Sequence, residues 1–591
     1  MGIPQLFSWV VQQNPELICA PGRVNKSVQR FYLDYNALVY QVWHIIQEQE
    51  ITQKRTEAEW ESYLISQVVQ YTTDLIAWVN PQSRVIISID GVVPRAKIEQ
   101  QRRRRFKLLW ARECDNVLFS DKKEKPVFDT SKITVGTAFW GTLVEALKQS
   151  IHAGQFHTSV GHNRGILPMI VGQEPAKSLE IEIHDAQTRG EGEHKICQDL
   201  LKNPTKEQIL IYGLDADLLL LTLRATVLCP NIALLRESTS QRADQEEQTT
   251  RLKHWNTPFF WIDIGTFKII WIQRIQTLSE RNTKHLQWTH ESLIADAMII
   301  YCFLGNDFIQ QQPSLDIQEG GIDNLWRVYI QVRQMRQWTL IREGQIHWEF
   351  LLEYLKRLSQ QEIHQCKYLQ NRRRMKSRNK KITQSMTTDE QKNQWDRIWG
   401  NEYLRSCYEW TDWTHPQATE QYHQYHFGFQ PNTMNPTFYR SSFGQRICRD
   451  YLRTLNFVFQ YYWNEAPCWT FYYAYPNVPL FSDLYSYLSS IELPLVFPSS
   501  QNIIPSAIHQ GSWVMPPQLR SHVIGLPDTY HTKSFEFPNE TSLYGSDRYW
   551  LGSAETKLPP ARWLYWRLWM ERYASKQYLE IHPILKFKFS K

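Results

Sequence analysis

"ILIYGLDAD" (209–217) sets an apolar run directly against two acids, and its reading decides the architecture of the chain. Four apolar residues before Gly213 describe a short strand buried on both faces, followed by a turn. "RFYLD" (30–34) and "VIISID" (85–90) repeat the pattern, each an apolar strand closed by an aspartate. Between these strands lie stretches with helical periodicity, among them 57–79 and 134–150. Strands separated by helices predict an α/β fold with a mostly parallel central sheet flanked by helices. Ligands of such sheets gather at the carboxyl ends of the strands, where all three acidic ends fall.

Working outward, the chain divides into three parts. Residues 1–325 carry the strand–helix alternation. Residues 326–430 are helical in pattern and rich in Gln, Arg, Lys and Trp, and they include "NRRRMKSRNKK" (371–381), read as a projecting, solvated basic segment. Residues 431–591 turn aromatic and proline-rich, as in "LNFVFQYYWNEAPCWTFYYAYPNVPLFSDL" (455–484). This last part reads as a second, mixed helical region packed on the core and closing its site.

Composition narrows the function classes. With 591 residues, 42% hydrophobic and 21% charged, the chain is an ordinary globular sequence with a large core. The net charge of +6 permits a polyanionic partner without requiring one, so the arrangement of charge must carry that argument. The nine cysteines form no C-x-x-C pair, which argues against structural zinc and for a reducing compartment. No charged-then-apolar leader opens the chain and no apolar run reaches membrane length, so neither secretion nor a membrane is expected. Met1-Gly2 suggests myristoylation, but Leu6 stands where that motif wants Ser or Thr.

Seven carboxylates occupy distinctive contexts: Asp34, Asp90, Glu191, Glu193, Asp215, Asp217 and Asp307. Asp215 and Asp217 are two apart after a strand, so an extended backbone aims both to one side. Glu191 and Glu193 lie in "RGEGEHKI", where two glycines free the backbone before a helix, and Asp307 follows Gly305-Asn306 at a helix end. Any one of these alone is better explained as a cap or turn former. The set is different, because clustered buried acids repel one another unless cations neutralise them. Oxygen-only ligands select hard ions, Mg²⁺ or Mn²⁺, and two such ions roughly 4 Å apart serve phosphodiester hydrolysis. After Asp90 comes "GVVPRAKIEQQRRRRFK", in which Lys97, Gln101, Arg104 and Arg105 follow i, i+4, i+7, i+8 spacing. They share one arc of a helix and form a phosphate-binding face close to the acids.

At these residues the sequence resembles the Xrn family of 5′→3′ exoribonucleases, within the wider group of PIN-like and flap-endonuclease-like nucleases. "MGIPQLFSWV", "YLDYNALVY", "SIDGVVPRAKIEQQRRRRF", "GEGEHKI", "YGLDADLLLL" and "FLGNDFIQQQPSLDI" are similar to its successive motifs in the same order, and "APCWTFYYAYPNVPLFSDL" to its second conserved region. The resemblance implies that the seven acids are catalytic metal ligands for two Mg²⁺ ions, with Mn²⁺ able to substitute. It implies that Lys97, Gln101, Arg104 and Arg105 hold a 5′-phosphate and that Tyr40 and Trp469 stack on terminal bases. The expected activity is processive hydrolysis of single-stranded RNA bearing a 5′-monophosphate, releasing nucleoside 5′-monophosphates in RNA turnover such as mRNA decay. A cytoplasmic monomer is expected, with the nucleus as the alternative, and protein partners stay unknown. Tyr40 stands where the family commonly has His, Phe471 where it has a second Trp, Arg189 where it has Pro, and Gln310–Gln312 replace a Pro/His-containing stretch. Against the large relatives the chain reads as a minimal form without long C-terminal extensions. The rival readings are a flap-type DNA nuclease, which would carry a helix-hairpin-helix clamp not found here, and an inactive RNA-binding scaffold, against which the seven retained acids speak.

Overall fold

A computed structural model describes residues 3–19, 27–50, 55–105, 128–156, 179–237, 251–278, 289–377, 411–429, 431, 437–491, 504–515 and 522–523, apart from positions 4, 103, 253, 254, 256, 337 and 476. Parts of three expectations lie outside these residues: the start of the chain, the basic run beyond Ser377, and the second region beyond Val523.

The central sheet contains β1 (Ile18–Cys19), β2 (Arg30–Asp34), β3 (Arg84–Ser88), β4 (Glu180–His184), β5 (Ile209–Tyr212), β6 (Ile232–Glu237), β7 (Arg251–Leu252) and β8 (Thr257–Asp263). Its order is β1-β8-β6-β5-β2-β3-β4, with β7 paired to β8. The run β4-β3-β2-β5-β6 is parallel throughout, and β8 closes the β6 edge antiparallel. Strands β2, β3 and β5 read as apolar runs because both faces of the sheet are covered. Phe31 and Leu33 of β2 face one hydrophobic layer with Val85, Ile87, Leu210 and Tyr212. Tyr32 faces the other with Ile86, Ile209 and Ile211. That is the period-2 alternation of strand side chains.

The first layer holds the helices Tyr35–Glu50, Glu57–Val79 and Ala138–His152. Glu57–Val79 begins where Thr56 and Glu59 cap each other reciprocally, Glu59 N–H donating to Thr56 Oγ1 at 3.3 Å and Thr56 N–H to Glu59 Oε2 at 2.6 Å. The helix expected from 134 starts four residues later, because Gly136 adopts φ +92° and Thr137 extends, which breaks helical geometry.

The opposite layer holds Gly192–Lys202, Asp217–Ala225, Ile264–Thr277 and His290–Cys302. Its apolar core continues without interruption into the helices Gly321–Arg336, Trp348–Ser377, Ser442–Trp463 and Phe481–Leu488. The aromatic second region is therefore packed onto the face of the sheet that carries the helices following the acidic loops. The described part of the basic run 371–381 is the last turns of Trp348–Ser377. Among the described residues no helix is long and apolar enough to cross a membrane.

Candidate active site

Strand order determines where the acids meet. From β2 the chain moves to β3 and β4 on one side and to β5 and β6 on the other, so the sheet has its switch point at the carboxyl end of β2. Asp34 ends β2, Asp90 follows β3, and Asp215 and Asp217 follow β5. Glu191 and Glu193 arrive from the β4 side by a direct link between loops. Gly91 N–H donates to the Gly190 carbonyl and Gly190 N–H to the Val92 carbonyl, both at 2.8 Å. A side chain at Gly91 would bring its Cβ within 1.8 Å of the Thr188 carbonyl oxygen, so only glycine allows this approach. Gly192 sits tighter against the acids: a Cβ there would lie 2.7 Å from Asp34 Oδ1 and 2.9 Å from the Ser88 carbonyl oxygen. Its N–H donates to Asp90 Oδ1 at 2.8 Å. Asn36 holds the other oxygen, donating from Nδ2 to Asp90 Oδ2 at 2.9 Å and accepting Asp90 N–H at 3.0 Å.

The carboxylate oxygens of Asp34, Glu193 and Asp215 lie within 4.8 Å of one another, and Glu191 and Glu193 form a second such group with His194. Burial, with Asp215 and Asp90 beside it, pushes Asp34 well above the usual carboxylate range. Burial and the neighbouring acids do the same to Glu193. Asp90 is pushed up to about 6 by burial and Glu191, and Asp217 to about 6 by burial and Asp307. Asp217 Oδ1 is buried with no hydrogen-bond donor. An all-oxygen set under mutual repulsion, with a buried oxygen unpartnered, fits hard divalent cations.

One cation of the chain already enters the cluster. Lys97 Nζ stands 2.5 Å from Glu191 Oε1 and 2.6 Å from Asp307 Oδ2, with Lys97 only 6% exposed. Burial opposes its charge, but Asp307, Glu191 and Glu193 together hold the ammonium well above its ordinary pKa. Against the pull of burial, Lys97 keeps Asp307 below the usual carboxylate value. Gln100 Nε2 donates to the other oxygen of Asp307 at 3.2 Å.

Residues 95–102, with 104 and 105, are helical as expected, the helix beginning just after Pro94. Lys97 turns into the acids. Gln101 accepts a hydrogen bond from Gln510 Nε2 at 3.2 Å. Arg104 is exposed, and half-buried Arg105 donates to the Ile133 carbonyl at 3.0 Å. Tyr40 O–H donates to the same carbonyl at 3.3 Å, which puts its half-buried ring beside the end of the helix. Trp469, also half-buried, sits at the start, its carbonyl accepting Arg95 N–H at 2.8 Å. The two residues expected to stack thus meet opposite ends of this helix, Tyr40 through its hydroxyl and Trp469 through its backbone.

Several contributors lie outside the set expected from sequence. Helix Ser442–Trp463 donates two adjacent hydroxyls: Tyr461 to Glu191 Oε2 and Tyr462 to Asp217 Oδ2, each at 2.7 Å. His194 packs on both rings, with centroids 4.2 and 5.5 Å away. Burial pushes this imidazole down to about 4, so it is neutral, and its 3.8 Å approach to Glu191 is not an ion pair at pH 7. Arg236 secures the loop after β5 through the carbonyls of Leu214 and Asp215. His194 and Asn36 were within reach of reading, beside Glu193 and Asp34. The tyrosines lie far along the chain in a run that looks like core.

A mostly parallel α/β sheet with a buried acidic cluster at its switch point and a basic helix alongside is a PIN-like α/β core. The chain belongs to the Xrn family: residues 1–238 match the XRN 5′-3′ exonuclease N-terminus and residues 287–426 the Xrn1 helical domain. It is 26% identical over 443 residues to the 5′-3′ exoribonuclease 2 of Candida glabrata, covering 65% of this chain and 40% of that one. It is 27% identical over 449 residues to the same-named protein of Eremothecium gossypii, covering 65% and 44%. Against the 5′-3′ exoribonuclease 1 of Saccharomyces cerevisiae it is 26% identical over 377 residues, covering 61% and 23%. The chain spans less than half the length of these relatives.

Proposed function

We propose that this chain is a 5′→3′ exoribonuclease that hydrolyses single-stranded RNA bearing a 5′-monophosphate, in the processive manner of RNA turnover. The observation that carries the reading is the buried acidic cluster at the switch point, with Asp34, Glu193 and Asp215 from three separate segments within 4.8 Å of one another, beside a helix presenting Gln101, Arg104 and Arg105. The names of the relatives above support it.

Asp34, Asp90, Glu191, Glu193, Asp215, Asp217 and Asp307 would hold two Mg²⁺ ions, with Mn²⁺ able to replace them. Bound there, the ions supply the positive charge that activates water and offsets charge developing on the phosphodiester oxygens. Asn36, Tyr461 and Tyr462 orient the carboxylates. Lys97 adds a fixed charge between Glu191 and Asp307. The water oxygen bonds to phosphorus, the bond to the 3′-oxygen of the first nucleotide breaks, and that oxygen takes a proton. One nucleoside 5′-monophosphate leaves, and the shortened RNA again carries a 5′-monophosphate, which suits a processive enzyme. Lys97, Gln101, Arg104 and Arg105 receive that terminal phosphate, and Tyr40 and Trp469 flank the terminal bases. In this scheme residues 1–325 are the nuclease core, 326–430 a connecting helical part, and 431–591 the wall that excludes internal RNA. The buried thiols Cys197, Cys229, Cys302, Cys366 and Cys448 suit a reducing compartment, cytoplasm or nucleus.

The test is a time course on 3′-end-labelled RNAs differing only in a 5′-monophosphate, hydroxyl or triphosphate. Rapid loss of the monophosphate RNA alone, dependent on Mg²⁺ and abolished by EDTA, is expected. Equal decay of all three, or better cleavage of flap DNA, overturns the substrate assignment.

A further inference from the structure

We infer that Gln510, a residue outside the catalytic cluster, determines which end of the Gln101 amide faces the terminal phosphate. This rests on the reading of residues 95–105 as the phosphate-binding helix.

The argument begins from a group with one fixed role. A backbone N–H can only donate. Val93 N–H, just before the helix, donates to Gln510 Oε1 at 2.9 Å. Gln510 is 0% exposed, so its amide has no water with which to exchange roles. Its oxygen is committed to Val93, and its nitrogen must therefore point the other way and donate. The recipient is Gln101 Oε1 at 3.2 Å. A side-chain amide carries oxygen and nitrogen on opposite branches. With its oxygen drawn to Gln510, Gln101 turns its N–H groups away, and what it offers a further partner is a donor. A phosphate accepts only. Were the amide reversed, its oxygen would meet the anion and repel it. The relay Val93 to Gln510 to Gln101 thus sets the polarity of an otherwise ambiguous side chain.

The packing around Gln510 holds the relay rigid. Helix Ala507–Val514 carries it. Val514 packs with Val93 and Ile98 in a small apolar cluster, with Trp513 against it. The Arg95 guanidinium lies over the rings of Tyr472 and Trp513, 4.9 and 4.5 Å from their centroids. Gly136 meets this helix so closely that a Cβ there would lie 2.4 Å from the Ala507 carbonyl oxygen. Gln510 is a positioning residue and reaches the substrate only through Gln101.

The test uses the full chain and compares RNAs with 5′-monophosphate and 5′-hydroxyl ends. Gln510→Glu keeps the acceptor for Val93 but cannot donate once it is ionised, so at alkaline pH Gln101 reverses. The expected result is about a tenfold rise in KM for the monophosphate RNA alone. Gln510→Asn is shorter, adds no charge, and should lower the same preference by a smaller factor. Gln101→Lys, which can only donate, should restore the preference in the Gln510→Glu background. Equal losses on both RNAs, unchanged KM in both Gln510 variants, or no restoration by Gln101→Lys would overturn the relay. A parent protein that shows no preference for the 5′-monophosphate would instead overturn the functional reading beneath it.

Discussion

Asp34 and Asp296 are both buried aspartates, 4% and 0% exposed, and their surroundings are opposite in kind. Asp296, in helix His290–Cys302, accepts N–H from Leu340 at 3.1 Å and from Ile341 at 2.6 Å, together with the Tyr329 hydroxyl. Glu362 is similar, accepting the first N–H groups of helix Phe481–Leu488 from Phe481 at 2.6 Å and Ser482 at 3.1 Å. These carboxylates join segments, and each has donors of its own. Asp34 faces other acids, Asp215 and Asp90. A buried acid supplied with donors stabilises the fold. Buried acids gathered against one another destabilise it until something cationic arrives. The contrast separates architecture from chemistry better than burial does.

The strongest way to break this contrast is to neutralise one member of the cluster. Asp34→Asn should reduce RNA hydrolysis on the order of 10³-fold, because the proposed cation site loses a ligand. In EDTA its melting temperature should equal or exceed that of the parent, since the change relieves repulsion. A clear fall in melting temperature would class Asp34 with the structural acids. Asp296→Ala should do the reverse. It leaves two backbone N–H groups and a hydroxyl without their acceptor and should cost about 3 kcal/mol in denaturant unfolding. The folded fraction should keep its specific activity on RNA.

The same contrast explains what the sequence could reveal. The strands were legible because parallel strands buried on both faces must be apolar from end to end, as in "ILIY" and "VIIS". The acidic loops were legible because glycines and acids at strand ends have few other uses as a set. The antiparallel strand β8 was not, since "TPFFWID" has no local mark of its direction or partner. Tyr461 and Tyr462 were not, because a hydroxyl aimed at a carboxylate and a ring packed in a core look alike in a sequence. In the sequence Lys97 stands only as part of a phosphate-binding face, and its place between Glu191 and Asp307 depends on a helix orientation that periodicity leaves open.

A smaller effect sharpens the structural side. Burial, with Asp483 nearby, pushes Glu362 up to about 8, although the N–H groups of Phe481 and Ser482 pull the other way. The folded state therefore keeps a proton that the unfolded chain releases above its ordinary value of 4.5. Stability from this group is fully present below that value and falls as pH rises toward 8, by up to about 1.4 kcal/mol per pH unit. Glu362→Gln, a neutral mimic of the protonated acid, should flatten this slope. Urea midpoints between pH 5.5 and 8 measure it, and an unchanged slope would assign the proton elsewhere.

The smallest expected effect tests whether the aromatic second region helps to build the acid site or only covers it. Tyr462→Phe removes one hydroxyl, the donor to Asp217 Oδ2, and leaves the ring packed against His194 and Phe308. Partners that orient a metal ligand contribute through affinity, so binding of Mn²⁺ should weaken about tenfold, as read by calorimetry or electron paramagnetic resonance. Hydrolysis should fall at limiting metal and recover at saturating metal. Such recovery would make helix Ser442–Trp463 part of the cation site, and with it the length of chain between Asp34 and Trp463. A lower melting temperature with unchanged Mn²⁺ affinity would instead place the Tyr462–Asp217 bond beside Asp296, among the contacts that join segments.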